Sequence, residues 1–236
     1  MLSLVFAPGH RPDAAALKAL AQTSAAPLDF SISHLAPQAQ GWAELLALGL
    51  TFDCRGLMPA PSSAFPPEGA LLGLDRAPTG EAVTLLLGPH LAGAQALLPV
   101  VRAVAGVGAR LAALPGVEAV CWLPARSWMA PAYFRKVAAD WLGGGAFPAL
   151  GLTTLHPAEG GAMTSLGLGW LIGQELRLEA GHGLAPAAVV RIAVRLINDL
   201  VTAGPLHEAA ELTGPAGERL HLIPQAGGTI GVTIEA

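Results

Sequence analysis

A run of glycines in the stretch TSLGLGWLIGQELRLEAGHGL has residue types that can bind phosphate. Gly167, Gly169 and Gly173 follow one another in a G-x-G-x-x-x-G pattern. Such loops hold a pyrophosphate when a helix begins directly after the glycines and points its amides at the charge. Here the glycines are followed by QELRLEA, in which leucines alternate with charged residues, and a period of two is typical of a strand. We therefore expect a bent or bulged strand, and no bound cofactor.

The segment PARSWMAP (124–131) holds the best candidates for ligand binding. Arg126, Ser127 and Trp128 fall in a predicted loop, where a large aromatic side chain more often serves binding than it does elsewhere. His156, in the loop of a predicted hairpin, is a further candidate. Together these residues would contact an anionic or aromatic ligand. They define one hypothesis, a small-molecule-binding protein or enzyme with a pocket near residues 124–131.

The other histidines favour local structural roles. His10 and His90 each follow a Gly/Pro turn after a predicted strand, where a histidine commonly makes a local hydrogen bond. His156, Glu159 and His182 lie in loops and could share a metal ion, but no His-x-x-x-His or paired-cysteine spacing supports a metal site. The chain also has no Gly-x-Ser-x-Gly nucleophile motif. We therefore assign no catalytic residue and expect no metal.

The remaining reactive side chains also suit structural roles. Cys54 and Cys121 lie in apolar surroundings, and we expect two reduced, buried thiols. Glu175 and Glu179 are four residues apart along the predicted strand, which separates them by about 13 Å and is too far for most paired-carboxylate chemistry. We expect both to lie on the solvated face of that strand.

Composition narrows the class of protein. The 236 residues are 53% hydrophobic and only 13% charged, with a formal net charge of −4. This composition argues against disorder, and the scattered lysines and arginines argue against nucleic-acid binding. The most apolar stretch contains a histidine, a glutamine and two arginines, so we expect no membrane span. With no export signal at the start, a cytoplasmic location is expected. Few charges leave apolar surface exposed, which favours self-association.

The order of predicted elements indicates an α+β fold with mixed, largely antiparallel sheets and helices packed on one face. The sequence predicts a β-α-β part over residues 1–57 and a Pro/Ser-rich linker or loop over 58–69. It predicts the main α+β domain over 70–236, which could pack as one unit with 1–57. The clearest helix is PAAVVRIAVRLINDLVTAG, with a proline at its start, one apolar face and a Gly-Pro stop. A shared strand-turn-helix pattern in LSLVFAPGHRPDAAALKAL and VTLLLGPHLAGAQALLPVV leaves open two similar halves.

Four segments in order resemble the bacterial domain-of-unknown-function family 4261. They are GVEAVCWLPARSWMAPAYFRKV, FPALGLTTL, TSLGLGWLIGQELRLE and VVRIAVRLINDLVTAG. The family signature Thr-x-Gly-Leu-x-x-x-Gly-x-x-Glu-Leu is similar to Thr164, Gly167, Leu168 and Gly173 in loose spacing, and to Glu175-Leu176 closely. The chain has HEAAELTG where the family has Gly-Asp-Thr. The resemblance implies a cytoplasmic bacterial α+β protein with the glycine run in a strand, and it transfers no site residues.

Taken together, these patterns favour a non-enzymatic binding or protein-interaction module. The protein would act through a protein partner or through a second copy of itself. The pocket near residues 124–131 is the alternative.

Overall fold

The first strand lies at the centre of the larger sheet. In a computed structural model that describes residues 1–25, 27–179 and 184–235, residues Leu2–Phe6 (β1) are all buried. β1 pairs antiparallel with Glu81–Leu87 (β6) on one side and with Val117–Trp122 (β7) on the other. A short, continuous apolar run is typical of a strand that is covered on both faces.

Eight strands form this sheet. The others are Ser31–Leu35 (β2), Trp42–Ala47 (β3), Leu50–Arg55 (β4), Ala70–Leu72 (β5) and Ser127–Met129 (β8). The strand order is β2-β3-β4-β6-β1-β7-β8-β5. Every neighbouring pair is antiparallel except β5 with β8.

Three helices accompany this sheet: Ala14–Ala21 (α1), Leu98–Leu111 (α2) and Pro131–Leu142 (α3). The Asp13 side chain caps α1 by accepting a hydrogen bond from the Ala16 amide at 2.8 Å. α2 packs closely on β1, since a Cβ at Gly108 would lie 2.8 Å from Leu2 Cδ1. Glycine at this position allows helix and sheet to approach.

The Pro/Ser-rich segment 58–69 covers part of the same sheet. Val5, Ala82, Ala119, Cys121 and Trp128 form a buried cluster against which Phe65 packs. Ser62 Oγ accepts a hydrogen bond from the Ala82 amide at 2.8 Å. Because this segment packs on strands that come from distant parts of the chain, it is an integral loop of the first unit and not a spacer between two domains.

The chain divides into two compact units, Met1–Ala146 and Phe147–Ala236. The boundary therefore follows the GGGA segment and does not lie at 58–69. Both copies of the strand-turn-helix pattern, β1-α1 and β6-α2, lie inside the first unit.

In its described residues, the second unit has a six-stranded sheet and three α-helical segments. Its strands are Thr154–Pro157 (β9), Met163–Leu166 (β10), Glu175–Glu179 (β11), Ala210–Thr213 (β12), Arg219–Gln225 (β13) and Thr229–Glu235 (β14). Its helical segments are Ala149–Leu152 (α4), Leu168–Ile172 (α5) and Pro186–Ala203 (α6). The order is β12-β13-β14-β11-β10-β9, and β11 with β14 is its parallel pair.

The predicted apolar face of α6 is confirmed. All six residues of the predicted stripe are buried: Val189, Ile192, Ala193, Leu196, Ile197 and Leu200. The α+β class, with mixed and largely antiparallel sheets, is confirmed as well. No helix in the described ranges is both long and apolar enough to cross a bilayer.

The glycine run does not form one continuous strand. α5 interrupts it, with Gly167 before the helix at φ 97° and Gly173 after it at φ 80°. These left-handed conformations suit glycine and let the chain enter and leave a single helical turn. The period of two after Gly173 is confirmed, because Leu176 and Leu178 are buried in β11.

Candidate interaction site

Two of the three candidates in the 124–131 segment are core residues. Ser127 and Trp128 belong to β8 and are 0% exposed, whereas Arg126 is exposed with φ 46°. The expectation of an exposed loop aromatic is therefore wrong. Phe65 meets the Trp128 ring edge-on at 5.4 Å, and a Cβ at Gly69 would lie 2.6 Å from that indole. Trp128 fills the core because the 58–69 loop covers it.

His156 lies in the second unit, on β9. Its Nε2 is 2.8 Å from Thr154 Oγ1, and its backbone carbonyl accepts a hydrogen bond from Thr164 Oγ1 at 3.5 Å. The Glu159 backbone carbonyl accepts a hydrogen bond from Arg177 at 3.3 Å. His182, the third member of the considered metal set, lies outside the described residues. Among those described, no three metal-binding side chains cluster.

The glycine run binds a carboxylate, and this carboxylate is a side chain of the protein itself. The Gly167 amide donates to Glu175 Oε1 at 2.8 Å, and Ser165 Oγ donates to the same carboxylate. A Cβ at Gly169 would lie 3.0 Å from Glu175 Oε1. Glu175 therefore fixes the β10-α5-β11 turn and does not lie on a solvated face as expected. Glu179 is exposed and pairs with Arg177 at 2.7 Å.

The predicted local hydrogen bond is confirmed for His10, whose Nδ1 lies 3.0 Å from the Pro8 carbonyl. His90 instead makes a long-range contact, with its Nδ1 3.5 Å from Thr51 Oγ1. The prediction for the cysteines is confirmed. Cys54 and Cys121 are free and buried. Burial raises the pKa of each thiol to about 12, so neither is a ready nucleophile at neutral pH.

An open groove lies elsewhere in the first unit, between α1 and β2. It has a volume of about 550 Å³, and all five residues of β2 line it. The opposite wall is formed by Lys18, Ala21 and Gln22. These three share one side of the helix because they are three and four positions apart. We call this the α1/β2 groove.

The α1/β2 groove follows an unpaired strand edge. β2 is one of the two terminal strands of the described sheet and pairs only with β3. The pairing shifts register between Ile32 and His34, and Ser33 Oγ donates to Glu44 Oε1 at 2.6 Å across this bulge. Backbone groups on an edge strand can pair with another chain.

The charge of the α1/β2 groove is positive. Lys18 is its one formally charged lining residue, and it is exposed. Within the part of the chain that the structure describes, Lys18 forms no ion pair. The His34 ring packs on Trp42 at 5.2 Å. The groove therefore offers one unpaired cation beside a free backbone edge.

Sequence reasoning missed this groove. LDFSISHL predicts a half-buried strand, and Ser31 and Ser33 are indeed exposed. The only available signal was an unusually polar strand close to a helix with one lysine, which does not by itself indicate an edge.

Comparison of the chain with protein-family models, with curated proteins and with solved structures finds no significant match.

Proposed function

We propose that this protein is a non-enzymatic interaction module whose α1/β2 groove accepts an extended segment of a partner protein. The observation that carries the proposal is a terminal strand whose entire length lines an open groove beside a helix. In this mode of recognition, main-chain hydrogen bonds to the edge strand supply affinity and side-chain contacts supply specificity.

The side chains of the α1/β2 groove suit a polypeptide better than a compact apolar ligand. Ser31, Ser33 and His34 are exposed polar groups along the edge. Drug-sized pockets are lined mainly by apolar and aromatic side chains, and this groove is open to solvent along a strand. The alternative pocket near 124–131 loses support because Ser127 and Trp128 are fully buried.

The experiment that tests this proposal blocks the α1/β2 groove with a bulky side chain. Ala21→Trp places a large side chain on the groove wall, and Ala19→Trp, on an exposed position of α1 outside the lining, is the matched control. Peptides are selected from a displayed library of short random sequences on the full chain. Their binding to each variant is then measured by fluorescence anisotropy.

We expect selected peptides to bind the Ala21→Trp variant at least about tenfold more weakly, a loss of about 1.4 kcal/mol, and to bind the Ala19→Trp variant like the unmodified chain. Equal binding to both variants would contradict the proposal. So would a selection that enriches no peptide.

Membership of domain-of-unknown-function family 4261 and a cytoplasmic location stay predictions. The order of four segments and the Glu175-Leu176 pair support the first of them.

A further inference from the structure

We propose that a second copy of this chain binds at β12, one of the two terminal strands of the six-stranded sheet, by antiparallel strand pairing. This self-association is independent of the α1/β2 groove, since it uses the second unit alone. It would join two six-stranded sheets into one continuous sheet.

The side chains of β12 suit pairing with a further strand. Leu212 pairs with the buried Leu220 and lies on the side that faces α6, yet it is 41% exposed. Edge strands often avoid pairing with other chains by being short or by carrying charges or proline. β12 is short and carries one charge, Glu211, but residues 210–213, AELT, contain no lysine or proline. Its pairing with β13 has no register shift, so the free edge is regular.

Hollows flank β12 on both faces of the sheet. On the α6 side, a hollow of about 180 Å³ is lined by four apolar residues, a threonine and one Arg-Asp ion pair. The lining residues are Ile192, Arg195, Leu196, Asp199, Leu212, Thr213 and Leu220. On the other face, the 53% exposed Ile223 borders a second hollow of about 270 Å³. A strand added to β12 would cover apolar surface on both faces.

The charges of this edge permit an identical partner. Arg195 Nε lies 3.8 Å from Asp199 Oδ2, so the charged residues of the α6-side hollow compensate each other. Glu211 projects to the other face, where its Oε1 lies 3.2 Å from His221 Nδ1. A copy of the same surface therefore meets no excess of like charge on the α6 side.

The same charges select the register of the pair. In an antiparallel two-fold pair, residues directly opposite each other share a face, and the same patch meets itself. Centring the axis on Leu212 sets the two Leu212 side chains opposite each other and Glu211 opposite Thr213. Centring it on Glu211 would place two carboxylates face to face, which is destabilising. We therefore assign the axis to Leu212.

The first experiment measures the oligomeric state of the full chain by sedimentation velocity. A four-residue strand makes a small interface, so we expect a dimer with a dissociation constant of roughly 10 to 500 µM. Leu212→Lys, which opposes two cations at the axis, should weaken the dimer by at least about tenfold. Leu97→Lys, at an exposed leucine of the first unit, and Ala21→Trp should leave it unchanged. A circular-dichroism melt checks that each variant is folded.

The second experiment tests the register directly. Opposed residues in an antiparallel pair have Cα atoms about 4.5 to 5.5 Å apart, within the range for a disulfide. Leu212→Cys should therefore form a covalent dimer on mild oxidation, and the exposed Leu97→Cys should not. A chain that stays monomeric at every concentration, a Leu212→Lys variant that dimerises normally, or equal crosslinking of the two cysteine variants overturns the proposal.

Discussion

One terminal strand of each sheet, β2 and β12, runs beside a helix, and these two edges differ in their side chains. β2 exposes serines and a histidine next to the unpaired Lys18, whereas β12 exposes Glu211, Leu212 and Thr213 beside a hollow whose two charged residues compensate each other. The backbone of both edges offers the same hydrogen-bonding groups. Because the backbone groups are the same, the side chains distinguish the proposed partners: a lone cation disfavours an identical copy, whereas the compensated charges beside Leu212 tolerate one.

The two edge strands also differ in regularity. The β2-β3 pair contains a bulge at Ser33, whereas β12-β13 runs from Ala210↔Leu222 to Thr213↔Arg219 without a shift. A bulge increases the local twist of a strand. A twisted edge is poorly suited to pair symmetrically with itself, and a short flexible peptide can follow it.

Arg110→Ala should have the largest effect on one edge, the α1/β2 groove, while leaving the other edge, at β12, unaffected. Arg110, buried on α2, donates to the Leu20 carbonyl at 3.1 Å and to Thr23 Oγ1 at 3.2 Å, so it holds the end of α1. Its loss should destabilise the first unit by about 2 to 4 kcal/mol and reduce peptide binding at the α1/β2 groove. Urea unfolding with thiol labelling measures the stability.

The control for this variant is Arg102→Ala on the same helix. Arg102 donates to the Leu142 carbonyl at 3.1 Å and packs over Trp141. Its loss should leave peptide binding intact. If Arg110→Ala abolished the β12 dimer, the two edges would not be independent.

A smaller effect is expected in the pH dependence of the stability of the first unit. Both cysteines lie in the first unit, where burial raises the pKa of each thiol to about 12, above the ordinary value of 9.0. The folded state therefore favours the protonated thiol. This contribution is complete below pH 9 and is lost as the pH rises toward 12, by about 1 kcal/mol per thiol at pH 10.

Thiol labelling at increasing pH, combined with urea unfolding, measures this loss in the first unit. Cys54→Ala and Cys121→Ala should each reduce the slope of stability against pH. A slope that is unchanged in both variants would show that other groups control it.

The smallest expected effect is on the charge preference of the α1/β2 groove. Lys18→Glu reverses its one formal charge and should weaken binding of Asp- or Glu-containing peptides by roughly threefold to tenfold at low salt. The difference should shrink as salt screens the exposed charge. Lys18→Gln, measured by the same anisotropy assay, should lie between the two. An affinity for acidic peptides that is equal in all three proteins would remove the role of Lys18.

Sequence alone predicted those features whose cause is local. The α6 stripe follows from apolar residues at helical spacing, and the extended backbone after Gly173 follows from alternation at Leu176 and Leu178. The burial of Cys54 and Cys121 was predictable from their apolar neighbours. In each case the residues that determine the structure lie within a few positions of the feature.

The site depended on contacts that no local pattern encodes. Trp128 has the context of a loop aromatic, and it is buried because Phe65 and Gly69, some sixty residues earlier, pack against its ring. Glu175 alternates like a solvated residue, and it is held because the turn through Gly167 brings an amide to its carboxylate.

Local patterns were therefore enough to predict the fold class and most of the elements, since hydrophobic period and glycine and proline positions act over single turns. Which strands end the sheets, and what surrounds them, depends on contacts between distant segments. Strand order is set by pairing between distant segments, and a strand at an edge has the same local sequence rules as a strand one place further in. For that reason β2 could be recognised as a strand but not as a free edge, and β12 was not predicted from the sequence.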